Sequence, residues 1–267
     1  MIAEYSFLPW LRRGIANEIK TDPGASSRAS ITVKATIKGE SGESVDATKV
    51  VQLVGPADIV GIVRNMIVRT EPRNLVTDFE PNFLPFIEFY DEDFPWRYTP
   101  EAPTADHKLK PWLTLIVLKE EEFERRNSPT TPLPGIFVKK PAVDVFPNED
   151  EVWAWAHVHL NGKLNNTTNK PDLDHLNSIL DRDPDKGLSR LLCPRRLEEN
   201  KPYFAFLVPT FEVGRLAGLG SEVNGSATKV AWNGELLLPV YFEWFFRTGV
   251  GGDFEELVRL LVPRDID

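Results

Sequence analysis

The sequence is poor in the residues that support metal or disulfide chemistry, with one cysteine and four histidines in 267 residues. A single cysteine excludes an internal disulfide, and the apolar run that places Cys193 before Pro194 favours a small buried side chain over a nucleophile. No apolar run approaches the roughly 20 residues that a membrane-spanning helix needs. The first ten residues also lack the basic start and apolar stretch of a signal peptide. We therefore predict synthesis in the cytoplasm and no direct insertion into a membrane.

Positive charge is also in deficit. The chain has 31 Lys and Arg residues against 40 Asp and Glu residues, which gives a formal net charge of −9. A field of this sign repels phosphate backbones, so nucleic acid is not an expected partner. The sequence contains no Gly-x-Ser-x-Gly elbow, no phosphate-binding loop and no dinucleotide-binding glycine motif. We predict that the chain is not an enzyme and needs no cofactor.

Aromatic residues and prolines are abundant instead, with 7 Trp, 16 Phe and 22 Pro. This composition predicts irregular connections held by large, rigid side chains that suit both cores and interfaces. The length allows one large domain or two modest ones. We predict a single mixed module over residues 1–267, with two sub-domains, 1–125 and 136–267, as the alternative. The end of the chain just after a predicted helix indicates the N-terminal part of a longer polypeptide.

The clearest strand pattern is the alternation of Ile31, Val33, Ala35 and Ile37 with Thr and Lys, which is typical of a half-buried strand. A turn at residues 39–42 and a second run over 45–54 predict an antiparallel hairpin. Further β-branched or aromatic segments predict strands at residues 5–8, 66–69, 83–90, 112–118, 203–208 and 238–246.

Helical patterns are shorter and fewer. Apolar spacing and capping residues predict helices over 172–181, 211–217 and 253–261. Proline and polar residues predict surface loops over 97–110 and 127–135. The sequence therefore predicts an α+β fold with a mainly antiparallel β-sheet core, a few short helices and long proline-rich loops.

One segment, residues 153–159, combines two tryptophans with two histidines. On a strand, Trp153, Trp155, His157 and His159 would share one face, whereas a short helix would separate them. A His-x-His pair can bind a metal, but it needs a further ligand that nothing in the sequence identifies. We therefore predict an aromatic strip packed on a neighbouring element, and no metal site.

Acidic segments offer two further chemistries. Residues 181–187 are similar to a calcium loop, but the glycine comes one place late and Leu192 stands where a bidentate glutamate is required, so a solvated turn is predicted. The acids at 91–93 and 149–151 could supply a carboxylate pair for glycoside chemistry, although such runs are usually solvated turns. With the many tryptophans, they make a carbohydrate-binding or glycoside-acting module the alternative function outside the assembly class.

The order of several segments carries a family resemblance. These segments are Phe7-Leu8-Pro9-Trp10-Leu11-Arg12-Arg13-Gly14, Gly55-Pro56-Ala57-Asp58-Ile59-Val60-Gly61, Arg69-Thr70-Glu71-Pro72, Asp78-Phe79-Glu80-Pro81-Asn82, Asp93-Phe94-Pro95-Trp96 and Lys110-Pro111-Trp112-Leu113. Together they resemble the N-terminal region of large structural proteins of bacterial extracellular contractile injection systems, which are phage-tail-like particles. The resemblance is strongest in the first half of the chain.

The resemblance implies a structural subunit. We predict that it belongs to the cage-like shell or extension around the baseplate and spike, with a cap or cap-adaptor component of the same particle as the alternative, and the motifs do not choose between these positions. The implied partners are other copies of the chain and baseplate, spike, sheath or tube proteins. The chain would be made in the bacterial cytoplasm and become part of an assembled particle, with cell lysis as one route of release. It implies no catalytic residue.

Each Pro-Trp pair joins a fixed φ angle to a large flat ring, which is the form of a packing anchor. Some of these rings must fill the core, and the sequence does not separate them from rings that meet a partner. Arginine and tryptophan are common at the energetic centres of interfaces. The predicted interface residues are Trp10, Arg12, Arg13, Arg69, Phe79, Trp96 and Trp112.

Overall fold

A computed structural model describes residues 4–40, 42–164 and 173–252. Within these residues the strands are β1 (Ser6–Leu8), β2 (Ser30–Lys38), β3 (Ser44–Gln52), β4 (Ile67–Glu71), β5 (Phe86–Phe89), β6 (Leu113–Leu118), β7 (Phe123–Arg126), β8 (Gly135–Val138), β9 (Ala156–Leu160), β10 (Gly187–Leu192), β11 (Pro202–Pro209), β12 (Leu237–Pro239) and β13 (Phe242–Arg247). The α-helices are α1 (Phe94–Arg97), α2 (Ala142–Val145), α3 (Leu173–Leu180) and α4 (Glu212–Gly218). Short 3₁₀-helices connect them.

The strands form four sheets in which all the strand pairs are antiparallel. The orders are β1-β9-β10-β5-β4, β13-β11-β6, β12-β8-β7 and β2-β3. The predicted α+β class with a mainly antiparallel β core is confirmed. Each of the first two sheets combines strands from both halves of the chain.

The sheet β13-β11-β6 is the middle layer of the molecule. On one face, Leu115 and Leu207 belong to the same apolar cluster as residues of the five-stranded sheet. On the other face, Ile116 and Phe206 pack with residues of β8 and β12. Burial on both faces explains why β6 is a continuous apolar run, broken only by Thr114, whose hydroxyl hydrogen-bonds to that of Thr210 at 2.8 Å.

The predicted hairpin is present as β2 and β3, but the expectation that it is half-buried is wrong. Ile31 is buried beside Ile19 at the base. Farther out, Val33, Ile37 and Val45 are 40%, 65% and 66% exposed. Period-two alternation shows which residues share a face of a strand, and it carries no information on whether another element covers that face.

The remaining predicted strands are confirmed with shifted ends, except that the run 238–246 is divided between β12 and β13. β7, β8 and β10 were not predicted. The helices predicted over 172–181 and 211–217 are present as α3 and α4, and the helix predicted over 253–261 lies outside the described residues. The loop predicted over 97–110 is wrong at its first residue, because Arg97 ends α1. Residues 98–110 contain no helix or strand, but the segment is not simply a surface loop, because Thr99 and Leu109 are buried.

Gly218 ends α4 where the chain passes very close to β12. A Cβ atom at this position would lie 2.6 Å from Pro239. Only glycine allows this approach without a shift of the backbone. Among the described residues, no helix has the length and apolar character required to cross a bilayer.

Candidate interaction surfaces

Most of the predicted interface residues are core residues. Trp96 and Trp112 are fully buried, and Phe79, Trp10 and Arg12 are at most 8% exposed. This corrects the prediction for these five residues, because a side chain enclosed by its own chain presents no surface to a partner.

The three Pro-Trp pairs are internal anchors. The indole N–H of Trp112 donates to the carbonyl oxygen of Phe94 at 2.8 Å, and that of Trp96 donates to Leu109 at 3.1 Å. The indole N–H of Trp10 donates to the carbonyl oxygen of His107 at 2.9 Å. Each ring thus buries a large apolar area while its single polar group is satisfied by the backbone, which is the usual requirement for a buried tryptophan.

Arg12 is buried without a described carboxylate partner. Its guanidinium donates to the backbone carbonyl oxygens of Glu101 at 2.9 Å and Thr99 at 3.2 Å. Burial lowers the pKa of Arg12 to about 10. The residue therefore ties the N-terminal segment to the loop before β6, and it is not a free surface cation.

Arg13 and Arg69 remain at the surface but pair within the chain. Arg13 donates to Glu92 at 2.8 Å, and Arg69 donates to Glu88. Both guanidinium groups are thus paired with carboxylates of their own chain. Arg69 nevertheless keeps half of its side chain exposed, and it lies on the broad face described next.

The side of the five-stranded sheet that points away from the main core carries a mixed aromatic and charged surface. Strand register places Phe7 opposite His159, Arg190 between His157 and Glu88, and Arg69 opposite Glu88. Residues directly opposite each other on paired strands share a face. We call this surface the outer face, and it consists of Tyr5, Phe7, Arg69, Phe86, Glu88, His157, His159 and Arg190.

The aromatic half of the outer face is exposed and ordered by ring contacts. Tyr5 and Phe7 are 54% and 53% exposed. The ring of His159 lies 5.1 Å from that of Tyr5 and 4.9 Å from that of Phe7, and His157 lies 5.5 Å from Phe7, all between centroids. The four rings therefore form one surface at the β1 edge of the sheet.

The charged half is a glutamate held by two arginines. Glu88 is nearly buried, with 4% of its side chain exposed, and it accepts hydrogen bonds from both Arg69 and Arg190. The Arg190 guanidinium also lies 4.1 Å from the centroid of the Phe86 ring. Burial acts to raise the pKa of Glu88, but the two arginines overcome it and hold the pKa below its usual range. Glu88 therefore stays ionised and fixes both guanidinium groups.

The two histidines are neutral near pH 7. Burial, with the nearby Arg190, lowers the pKa of His157 to about 4, and burial also lowers the pKa of His159. Within the described part of the chain, the Nε2 atoms of both rings are buried without a hydrogen-bond partner. Among the described residues, no group of three or more His, Cys, Asp or Glu side chains is arranged to hold a metal ion.

The predicted four-residue strip of tryptophans and histidines is divided in the structure. Trp153 and Trp155 lie in the 3₁₀-helix Glu149–Trp155, and β9 begins only at Ala156. The histidines share a strand face as predicted, and the tryptophans do not join it. The first half of the segment is thus helical, as in the alternative interpretation, and the second half is a strand.

The acidic segments are also engaged in structural pairs. In the 91–93 cluster, Asp91 and Asp93 both pair with Arg97, and Glu92 pairs with Arg13. In the second cluster, Glu149 pairs with Lys110. Four of the six carboxylates, Asp91, Glu92, Asp93 and Glu149, are thus held in ion pairs within the chain.

Two further groups have structural roles. The ammonium of Lys108 lies 4.8 Å from the Trp153 ring centroid, so it occupies an indole face on which a sugar would stack. Cys193 is fully buried, and burial raises the pKa of its thiol to about 11. A thiol with this pKa is not a thiolate nucleophile at neutral pH.

Of the outer-face residues, Arg69, His157 and His159 are candidates from the sequence alone. The sequence assigns the other five to no surface, namely Tyr5, Phe7, Phe86, Glu88 and Arg190. Alternation within β1, β5 and β10 shows which of their residues share a face of each strand. It does not show which strands are neighbours in the sheet, so the surface could not be assembled from it. Comparison with known proteins adds no assignment, since no family model, no curated protein and no solved structure matches the chain.

Proposed function

We propose that this chain is a structural subunit of a phage-tail-like extracellular contractile injection system, within the cage-like shell or extension around the baseplate and spike. The proposal rests on the resemblance of its N-terminal motifs to such proteins. The structural observation that supports it is the outer face, where exposed aromatic rings adjoin a fixed arginine–glutamate cluster. The motifs that carry the resemblance do not choose between this position and a cap position, which is the alternative.

The aromatic half of the outer face has the properties of a contact surface. Tyr5 and Phe7 expose more than half of their side chains, yet their ring contacts with His157 and His159 already restrict their motion. Side chains ordered before binding lose less entropy when a partner docks. Neutral histidines next to them also remove the cost of desolvating a charge.

The charged half contributes specificity. Because Glu88 already satisfies Arg69 and Arg190, a partner can cover this region without burying an unpaired charge. Arg69 is still half exposed and can donate to an acceptor on the partner. Aromatic residues and arginine are the residue types most enriched at the energetic centres of protein interfaces.

The proposal is tested on particles isolated from the source bacterium, with and without the gene for this chain. Mass spectrometry of wild-type particles should detect the chain in stoichiometric amounts. Electron microscopy of the deletion strain should show density missing around the baseplate and spike, whereas loss at the far end would assign the chain to the cap. Intact particles that never contain the chain would refute the proposal.

A further inference from the structure

The β2–β3 hairpin extends from the body with most of its surface uncovered. It is a sheet of two strands with nine residue pairs in continuous register, and no other strand of the described chain joins it. Beyond Ile31, the side chains of its apolar face are exposed. A two-stranded hairpin is at best marginally stable alone in water, and a long unpaired edge is a template for another strand.

The backbone hydrogen bonds identify which groups are free. At the ends of the hairpin, Gly39 N–H donates to Glu43 O at 2.8 Å, and Leu53 N–H donates to Ala29 O at 2.9 Å. Both pairs continue the register of the hairpin and consist of odd-numbered residues. Hydrogen-bonded pairs alternate with non-hydrogen-bonded pairs along an antiparallel ladder, so the odd-numbered pairs are the hydrogen-bonded ones. The even-numbered residues therefore direct their N–H and C=O groups outward, and on β3 these residues are Ser44, Asp46, Thr48, Val50 and Gln52.

The free edge of β3 is complementary to itself. If two copies pair antiparallel about a two-fold axis at Thr48, Thr48 faces Thr48 of the second copy and Asp46 faces Val50. The outward backbone groups then meet, and the intervening pairs are Val45 with Val51 and Ala47 with Lys49. No like charges stand opposite each other, and the odd-numbered apolar faces of both hairpins continue on one side of a four-stranded sheet.

The charge of Asp46 is no obstacle to this pairing. Asp46 already accepts from Lys34 and from the Thr36 hydroxyl within its own hairpin, each at 2.7 Å. The free edge of β2 is different, because the equivalent two-fold pairing at its centre would oppose Lys34 and Lys34 of the second copy. Like charges directly opposite each other destabilise a strand pair.

We propose that β3 is a self-pairing edge whose partner is β3 of a second copy of this chain. A two-fold contact of this kind closes on itself and yields a dimer rather than a filament. The edge of one hairpin is smaller than the roughly 800 Å² per partner of a stable interface. The dimer of the isolated chain is therefore weak, and it is strengthened where other contacts hold the subunits together. This inference adds a self-contact to the proposed assembly role, and the observations that support it are those of the hairpin geometry.

Sedimentation velocity on the purified chain, at concentrations up to about 1 mM, tests the pairing with two matched variants. Proline removes the outward N–H donor of an edge strand without removing a bond of the β2–β3 ladder. We expect Thr48→Pro to weaken dimerisation by about tenfold or more, and Thr32→Pro, which alters the opposite edge, to change it by less than about twofold. Equal effects, a selective effect of Thr32→Pro, open-ended oligomers or a strictly monomeric wild type would overturn the proposal.

Cysteine variants provide a second readout that does not depend on how well a proline variant folds. The native Cys193 is fully buried, so an introduced thiol is the reactive one. Thr48→Cys should crosslink to a second copy with a short bis-maleimide, and Thr32→Cys should not. A chain that fails to dimerise but is present in particles refutes the pairing alone, and a chain that dimerises but is absent from particles refutes the particle function alone.

Discussion

Phe7 on β1 and His159 on β9 stand directly opposite each other, with ring centroids 4.9 Å apart, although 151 residues separate them in the chain. The contact joins the N-terminal segment to the second half of the molecule. Phe7 is still more than half exposed. The same ring therefore packs against β9 and is accessible to a partner.

The pH dependence of stability should reveal the neighbouring His157. Its pKa in the folded chain is about 4, below the value of about 6.5 expected for an unfolded chain, so the unfolded state binds more protons between these pH values. The stabilisation from the neutral ring is fully present above about pH 6.5 and is lost as the pH falls toward 4. For a half-buried ring we expect a loss of about 2 kcal/mol.

The variant His157→Phe removes the titrating group and keeps a flat ring beside Phe7. Urea unfolding at pH 7 and pH 4 should therefore show a smaller loss of stability for the variant than for the wild type. Arg190, Glu88 and His159 also face this ring, and they are retained in both proteins, so the difference between the two curves isolates His157. Parallel curves would contradict the assignment.

Trp112 should behave as a core residue and not as a contact residue. Its ring packs edge-on against Phe94, Tyr98 and Tyr241. We expect Trp112→Ala to lower the free energy of unfolding by about 4 kcal/mol, as for large cavities in other cores. The matched control Val143→Ala, at a side chain that is 85% exposed, should change it by less than about 0.5 kcal/mol. If the Trp112 variant were as stable as the wild type, Trp112 would not be a core residue.

Glu88 should be the energetic centre of the charged half of the outer face. Glu88→Gln leaves two guanidinium groups without their shared anion, and breaking a buried pair from one side costs about 3 kcal/mol. Arg69→Gln should cost about 1 kcal/mol or less, because half of the Arg69 side chain is exposed. Chemical unfolding of the two variants measures this ranking, and equal losses would argue against the described geometry.

The same carboxylate adds its own pH dependence. Because the pKa of Glu88 is held below its usual range in the folded chain, its stabilisation is present above about pH 4.5 and is lost as the pH falls below that value. In Glu88→Gln this acid-sensitive component should disappear from the unfolding profile. Retention of the full wild-type profile would show that the component belongs to other carboxylates.

The fold class could be predicted from the sequence because strand alternation and helix spacing are local properties. Ile31 to Ile37 and the run after residue 45 predict a hairpin with no knowledge of the rest of the chain. Burial depends on distant segments, so the same pattern could not show that Val33, Ile37 and Val45 are uncovered. Strand β10 was not predicted, because the charged residues that precede Gly187 are similar to a calcium loop and favour a turn at this place.

The outer face could not be assembled from the sequence for a related reason. Arg69, Glu88 and Arg190 come from three strands, and their contact depends on the order β10-β5-β4 in the sheet. The prediction of Trp10, Trp96 and Trp112 as interface residues was wrong. Tryptophan is common at interfaces, but its frequency there does not show whether a given tryptophan lies at the surface or in the core. The exposed Phe7 lies only three residues from the buried Trp10, within the same resemblance motif.

The most direct test of the assembly role is the incorporation of an outer-face variant into particles. Phe7→Asp replaces an exposed ring with a charge, and Val143→Asp makes the same change at an exposed apolar residue outside the outer face. Quantitative mass spectrometry of purified particles should show the Phe7 variant reduced by about tenfold or more and the Val143 variant at wild-type levels, each relative to the amount of folded chain in the lysate. Wild-type incorporation of Phe7→Asp would contradict the account.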